Sequence, residues 1–259
     1  MKRKRDVIQG LWIGGRLSVM ERLSIASFLK NGHAYHLYTY DDVDNVPDGV
    51  IWKNGDEIVP RTEVFADQDQ ELNFSYANFS DVFRYQLLLE KGGYWADLDI
   101  VCLRPFDFRS EFVFGSQAMQ DEVEERKRFG PALVNGNVIK APVGAEIMKF
   151  CYEMSVGRAS VDHEWFELGP PLLTEAVKNF GLQSRIHSPC TFNPIDWWSW
   201  NDVISEQLTV RTRTKLKFLL NRPVYAVHLW NSMWNRAGVD KSGDFPVDCL
   251  YEKLKRLYL

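Results

Sequence analysis

The run Asn78-Phe-Ser-Asp81-Val-Phe-Arg84-Tyr-Gln-Leu-Leu-Leu-Glu-Lys-Gly92-Gly93-Tyr94-Trp-Ala-Asp97-Leu-Asp99-Ile-Val-Cys-Leu-Arg104-Pro105 passes from a helix through a glycine break into a strand that ends on two acids. Asn78 or Ser80 is placed to cap the helix, which runs to about Glu90, and Gly92-Gly93 closes it. Tyr94 to Ala96 then enters the strand. Asp81 and Arg84 stand three apart and share one face of the helix, which Leu88 continues. Two carboxylates one residue apart at a strand end can hold a hard divalent cation, one that keeps waters and partners a phosphate. An Asp-x-Asp alone recurs by chance. The acid–arginine helix and the double glycine in front of it make this one specific.

Outward from that centre, Val7 to Ile13 reads as a buried strand ending at Gly14-Gly15. Val19 to Leu29 has helical spacing and stops at Asn31-Gly32. Ala34 to Tyr40 alternates as a second strand, and Asp41 to Asp48 is a loop around Pro47. In the second half, Phe112 to Gln117 reads as a strand. Asn135-Gly136-Asn137 reads as a turn into another strand, because Asn-Gly is first of all a turn signal. Ala145 to Met154 and a segment beginning Pro170-Pro171 read as helices, and Val224 to His228 as a short apolar strand that delivers His228 and Trp230. Strand–helix–strand alternation predicts an α/β fold with a mostly parallel central sheet flanked by helices. Ligands of such sheets gather beyond the carboxyl ends of the strands, where Trp12, Asp97 and Asp99 fall. The expectation is a single domain over 1–259, with a donor-binding half at about 1–110 and an acceptor-side half at about 111–259.

Of 259 residues, 45% are hydrophobic and 25% charged, an ordinary globular balance that buries a core without staples. The formal net charge of −4 lacks the basic footprint of a nucleic-acid binder, so no nucleic-acid partner is expected. The four cysteines, Cys102, Cys151, Cys190 and Cys249, lie far apart and suggest neither structural zinc nor a disulfide framework; reduced thiols in the cytoplasm are the simpler reading. No apolar run approaches the ~20 residues of a membrane span, and the stretch after Lys2-Arg3-Lys4-Arg5 is too interrupted for a signal peptide. Arg211, Arg213, Lys215 and Lys217 read as a solvated edge, or else as a peripheral contact with an anionic inner-membrane surface.

The Ser-Asp-x-x-Arg-Tyr…Gly-Gly-x-Tyr/Trp-x-Asp-x-Asp pattern resembles the DXD-containing, sugar-binding glycosyltransferases of family 32. These include capsular and lipopolysaccharide sugar transferases, initiating mannosyltransferases and α-1,4-galactosyltransferases, with the glucosylating clostridial toxins as more distant relatives. Leu11-Trp12-Ile13-Gly14-Gly15, Asn135-Gly136 and His228-Leu-Trp230-Asn-Ser232-Met-Trp234 extend the resemblance over most of the chain. It implies a GT-A fold, Mn²⁺ or Mg²⁺, a nucleotide-sugar donor (UDP before GDP), a glycan or lipid-linked acceptor, and retention of anomeric configuration. It implies that Trp12 stacks on the donor base, that Asp81 and Arg84 contact the transferring sugar, that Asp97 touches the ribose or sugar side and that Asp99 ligates the metal, with Asp97 beside it. Tyr94 and Asn135 join the donor-binding residues, and Ser232 and Trp234 match the toxin pair that holds metal and phosphate. Leu229 stands where the toxins have another acidic ligand, which leaves His228 as a candidate metal ligand.

The residues leave other readings open. Trp12 and His228 also suit a core, and Trp197, Trp198 and Trp200 suit either packing or an acceptor-sugar platform. A double displacement would need a carboxylate nucleophile, for which Asp162, Glu164 and Glu167 are candidates. Asp97-Leu-Asp99-Ile-Val also resembles the nucleophile motif of haloacid-dehalogenase phosphohydrolases, although that motif ordinarily opens the chain. A non-catalytic nucleotide-sugar-binding protein is the alternative outside enzymes.

Overall fold

The computed structural model describes residues 5–66, 75–159, 167–210, 212–213 and 223–259. In chain order these form β1 (Ile8–Trp12), α1 (Val19–Lys30), β2 (Tyr35–Thr39), β3 (Val50–Asn54), α2 (Ala77–Lys91), β4 (Gly93–Ala96), β5 (Ile100–Cys102), β6 (Val113–Gln117), α3 (Glu122–Phe129), β7 (Leu133–Ala141), α4 (Glu146–Ala159), α5 (Pro170–Asn179), α6 (Pro189–Phe192), β8 (Ala226–His228), α7 (Asn231–Arg236) and α8 (Leu250–Tyr258).

Six strands make one sheet in the order β3-β2-β1-β4-β7-β6. The pairings β1–β2, β1–β4 and β2–β3 are parallel; β7 runs antiparallel to both β4 and β6. The fold is therefore mixed α/β around a mostly parallel sheet, as expected, and strands from both halves of the chain share it. Alternation assigns the faces. Trp95 of β4 joins Phe79, Phe83, Leu87 and Leu88 of α2 and residues of α4 and α5 on one face; Tyr94 and Ala96 join Ile25 and Phe28 of α1 and Phe106 on the other. Each large apolar side chain of α2 buried this way contributes roughly 1.5–3 kcal/mol. A third cluster packs Trp234, Tyr251 and Leu254 against Val101 and Val227.

Neither Asn78 nor Ser80 caps α2. The helix begins earlier, with Tyr76 at the N-cap, and Asn78 is buried inside its first turn. Gly92 and Gly93 both take positive φ, 60° and 84°. A Cβ on Gly92 would also lie 2.8 Å from the Val143 backbone nitrogen, so this sharp passage from α2 into β4 requires glycine. The Asn135-Gly136-Asn137 turn is absent: all three residues lie inside the continuous nine-residue strand β7. β3, half exposed at the sheet edge, had no counterpart in the sequence reading. β5 and β8 form a separate antiparallel pair with Ile100 opposite His228. That register sets His228 beside Asp99. No described helix is long and apolar enough to cross a membrane.

Candidate active site

A cleft of about 940 Å³ opens at the carboxyl ends of β1 and β4, within the size range of small-molecule sites. Trp12, Asp81, Arg84, Asp97, Asp99, Asn135, His228 and Ser232 all line it. Tyr94 and Trp234 do not. Tyr94 is fully buried on the opposite sheet face, 5.5 Å from the Phe106 ring, because β4 turns alternate residues to alternate faces. Trp95 is the aromatic of that strand that reaches the cleft. Trp234 is also fully buried, and its indole N–H donates to the Leu229 carbonyl at 2.7 Å, so it has no N–H to offer a phosphate.

Arg84 organises one side. Its Nη1 lies 3.2 Å from Asp81 Oδ1 and its Nη2 3.2 Å from Asp97 Oδ1. The guanidinium lies 5.0 Å from the Trp95 ring centroid, and the Trp95 indole N–H donates to Asp97 Oδ1 at 2.7 Å. Burial opposes the charge on Arg84, but Asp97 and Asp81 more than offset it and hold its pKa above the ordinary value. Two glycines make room for this group. A Cβ on Gly169 would sit 2.8 Å from Asp81 Oδ2, and one on Gly136 would collide with Arg84 Nη1. Hence the glycine inside β7.

The other side is assembled around Asp99. Its Oδ2 accepts from His228 Nε2 at 3.1 Å and from the Asn231 backbone N–H at 2.8 Å. Asn137 Nδ2 meets His228 Nδ1 at 2.9 Å. Both imidazole nitrogens are thus occupied, and His228 holds Asp99 instead of offering a cation a lone pair. Trp230 adopts a left-handed backbone (φ 59°) that costs about 1–2 kcal/mol; its ring lies tilted against His228, 3.8 Å between centroids, and its N–H donates to Ile195 O. That bend aims the Asn231 N–H at Asp99 and brings Ser232 to the cleft.

The pKa values of the two acids are displaced in opposite directions. Burial raises the pKa of Asp97, with Arg84 pulling against it and Asp99 adding to the rise. Burial also pushes Asp99 upward, but His228 and the Asn231 N–H outweigh it and hold Asp99 low. Asp99 Oδ1 is buried with no hydrogen-bond partner. Among the described residues no group of three or more His, Cys, Asp or Glu side chains is arranged to hold a metal ion. What exists is a two-carboxylate set with one unpartnered anionic oxygen. It fits a hard cation whose other positions are filled by water and diphosphate.

Of the remaining candidates, Trp197 lines the cleft, whereas Trp200 packs 5.8 Å from Trp234. Glu167 does not line it. Asp162, Glu164, Arg211, Lys215, Lys217 and Lys2-Arg3-Lys4 lie outside the described residues. The sequence reading missed Trp95, and it gave Asn137 a place in a turn or against sugar hydroxyls where the structure bonds it to Asn193 and His228. Trp95 stood between the double glycine and Asp97, and its place in the period-2 alternation was the available signal.

Residues 22–121 match the family model described as a glycosyltransferase sugar-binding region containing the DXD motif. Residues 146–256 match the model described as an alpha 1,4-glycosyltransferase conserved region. No curated protein matches the chain. Among solved structures, PaToxG glycosyltransferase is similar at 15% identity and TM-score 0.49, covering 98% of this chain and 87% of its own. A transferase with two cysteine-to-serine substitutions is similar at 10% identity and TM-score 0.42, covering 70% and 86%. With two glycosyltransferase regions matched in order along one sequence, a DXD-containing sugar-binding region and then an alpha 1,4-glycosyltransferase conserved region, the chain is a glycosyltransferase.

Proposed function

We propose that the protein is a divalent-metal-dependent, retaining glycosyltransferase. It moves a hexose or N-acetylhexosamine from a UDP-sugar to a hydroxyl of a glycan or lipid-linked acceptor, in the synthesis of a surface polysaccharide or glycolipid. The observation that carries this reading is the unpartnered Asp99 Oδ1, which shares one cleft with the Asp81–Arg84–Asp97 ion-pair group. Mn²⁺ or Mg²⁺, when bound, supplies Lewis-acid stabilisation of the leaving diphosphate, worth several kcal/mol.

The chain's own residues supply the rest. Asp99, with Ser232 close by, offers the oxygens for the cation. Trp12 gives the donor base an aromatic face at the end of β1. Asp81 accepts hydrogen bonds from sugar hydroxyls, and Arg84 fixes the directions of Asp81 and Asp97. Asp97, whose side chain is 27% exposed against 11% for Asp99, faces the open cleft and meets the ribose or sugar. The anomeric carbon–phosphate oxygen bond breaks as the acceptor oxygen bonds the same carbon from the same face, and the acceptor proton passes to a phosphate oxygen of the leaving nucleotide. Incubation with a panel of UDP- and GDP-sugars and Mn²⁺ or Mg²⁺, read by product mass, tests the reading. Transfer from a UDP-sugar, lost on chelation, is the expected result; phosphate release from simple esters, or binding with no turnover, sinks it.

A further inference from the structure

A chain of hydrogen bonds behind the cleft begins at a group that can only accept. Asn193 Nδ2 donates to the Ser116 carbonyl at 2.9 Å, which fixes the Asn193 amide with Oδ1 turned toward Asn137. Asn137 Nδ2 donates to that Oδ1 at 2.6 Å, and the same nitrogen lies 2.9 Å from His228 Nδ1. Turning the Asn137 amide over would set two carbonyl oxygens face to face across the 2.6 Å contact. The orientation shown instead leaves Asn137 Oδ1 buried and without a partner, in space that Gly115 keeps open. An amide that gives up one partner to keep two others is held by its surroundings. Since Asn137 presents an N–H to Nδ1, that nitrogen must be the acceptor, and the imidazole proton sits on Nε2, which donates to Asp99 Oδ2.

We propose that Asn137 and Asn193 are positioning residues. Through His228 they occupy Asp99 Oδ2 with an N–H and so leave Oδ1 as the oxygen without a hydrogen-bond partner, the one a ligand would take. The hydrogen-bond chain stands on its own contacts. Its role in transfer rests on the proposed cation–diphosphate reading of the same cleft.

The test is nitrogen NMR of the full chain labelled with ¹⁵N-histidine, without metal or donor. His228 is expected to show an unprotonated Nδ1 and a protonated Nε2. Asn137→Asp replaces the donor with an acceptor, so a proton is expected to appear on Nδ1. A proton on Nδ1 in the unmutated protein, or no response in Asn137→Asp, overturns the assignment. A second measurement follows Mn²⁺ binding by electron paramagnetic resonance in the presence of UDP. Asn137→Leu is expected to weaken it about tenfold or more. Asn193→Leu, one link further away, acts in the same direction with a smaller loss and serves if the first variant does not fold. Unchanged binding in both variants overturns the positioning role. Expected nitrogens in a protein that binds no Mn²⁺ with UDP overturn the cation reading and that role, while the hydrogen-bond chain stands.

Discussion

The Asp81–Arg84–Asp97 side of the cleft is held by groups within one helix–turn–strand unit, whereas Asp99 is held by His228 and Asn231, which lie 129 and 132 positions away. The first side is an ion-pair cluster fixed by local geometry: helical spacing puts Asp81 under Arg84, and the Gly92-Gly93 turn swings Asp97 back to the same guanidinium. The second side exists only because β5 and β8 pair in one register. Local assembly gives a rigid charge arrangement, and long-range assembly gives an anionic oxygen with a vacant lone pair. The contrast can be broken by variants confined to one side.

The largest effect is expected from Arg84→Met. It leaves the buried Asp81 and the partly exposed Asp97 without their cation, and breaking a buried pair costs about 3–5 kcal/mol of stability. Urea unfolding measures it, and a loss under 1 kcal/mol would mean that local assembly needs no ion pair. Asp99→Ala comes next. Transfer is expected to fall by roughly 10²–10³-fold with circular dichroism unchanged, and initial rates with excess donor measure it. Retained turnover would strip the second side of its role.

Gly169→Ala presses a methyl group onto Asp81 Oδ2. Overpacking of this kind costs about 1–3 kcal/mol, read as a lower Tm, and kcat is expected to fall along with it. Trp12→Ala is smaller: the donor KM rises about tenfold, close to 1.4 kcal/mol, while kcat holds. An unchanged KM returns Trp12 to the core.

The smallest effect lies on neither side and serves as a control. His33 is buried, its Nε2 accepts from the Phe106 backbone N–H, and burial lowers its pKa. The unfolded chain takes up a proton near pH 6.5 while the folded chain still resists one. Stability from this group is therefore present above about pH 6.5 and is lost as the pH falls toward the folded pKa, by at most about 1.4 kcal/mol per unit. Burial lowers His36 and His187 in the same sense. His33→Gln should flatten, not abolish, the acid limb of a Tm–pH curve; an unchanged limb would assign it wholly to the other groups.

Legibility in the sequence follows the same division. The helix, the double glycine and the strand-end acids were readable because periodicity and turn chemistry are local. The parallel part of the sheet followed from alternation of strands and helices. Local signals also misled. Asn135-Gly136 suggested a turn, but its glycine answers a tertiary demand, the approach of Arg84; a glycine inside a strand pattern is itself a sign of close contact. β3, just after the Asp41–Asp48 loop, drew no assignment, because its half-exposed residues form neither a buried run nor a clean alternation. Tyr94 and Trp234 were assigned by resemblance, whereas side-chain direction on β4 and α7 decides what they touch. The bond between His228 and Asp99 was out of reach, since strand register between distant segments is set by the assembled core.

The β5–β8 ribbon has a consequence for the newborn chain. A ribosome releases Asp81, Arg84 and Asp97 long before it releases His228 and Asn231, so one flank of the cleft is complete while Asp99 still lacks its donors. During synthesis, Asp99 gains both of its donors only once β8 and the Asn231 turn behind it have emerged.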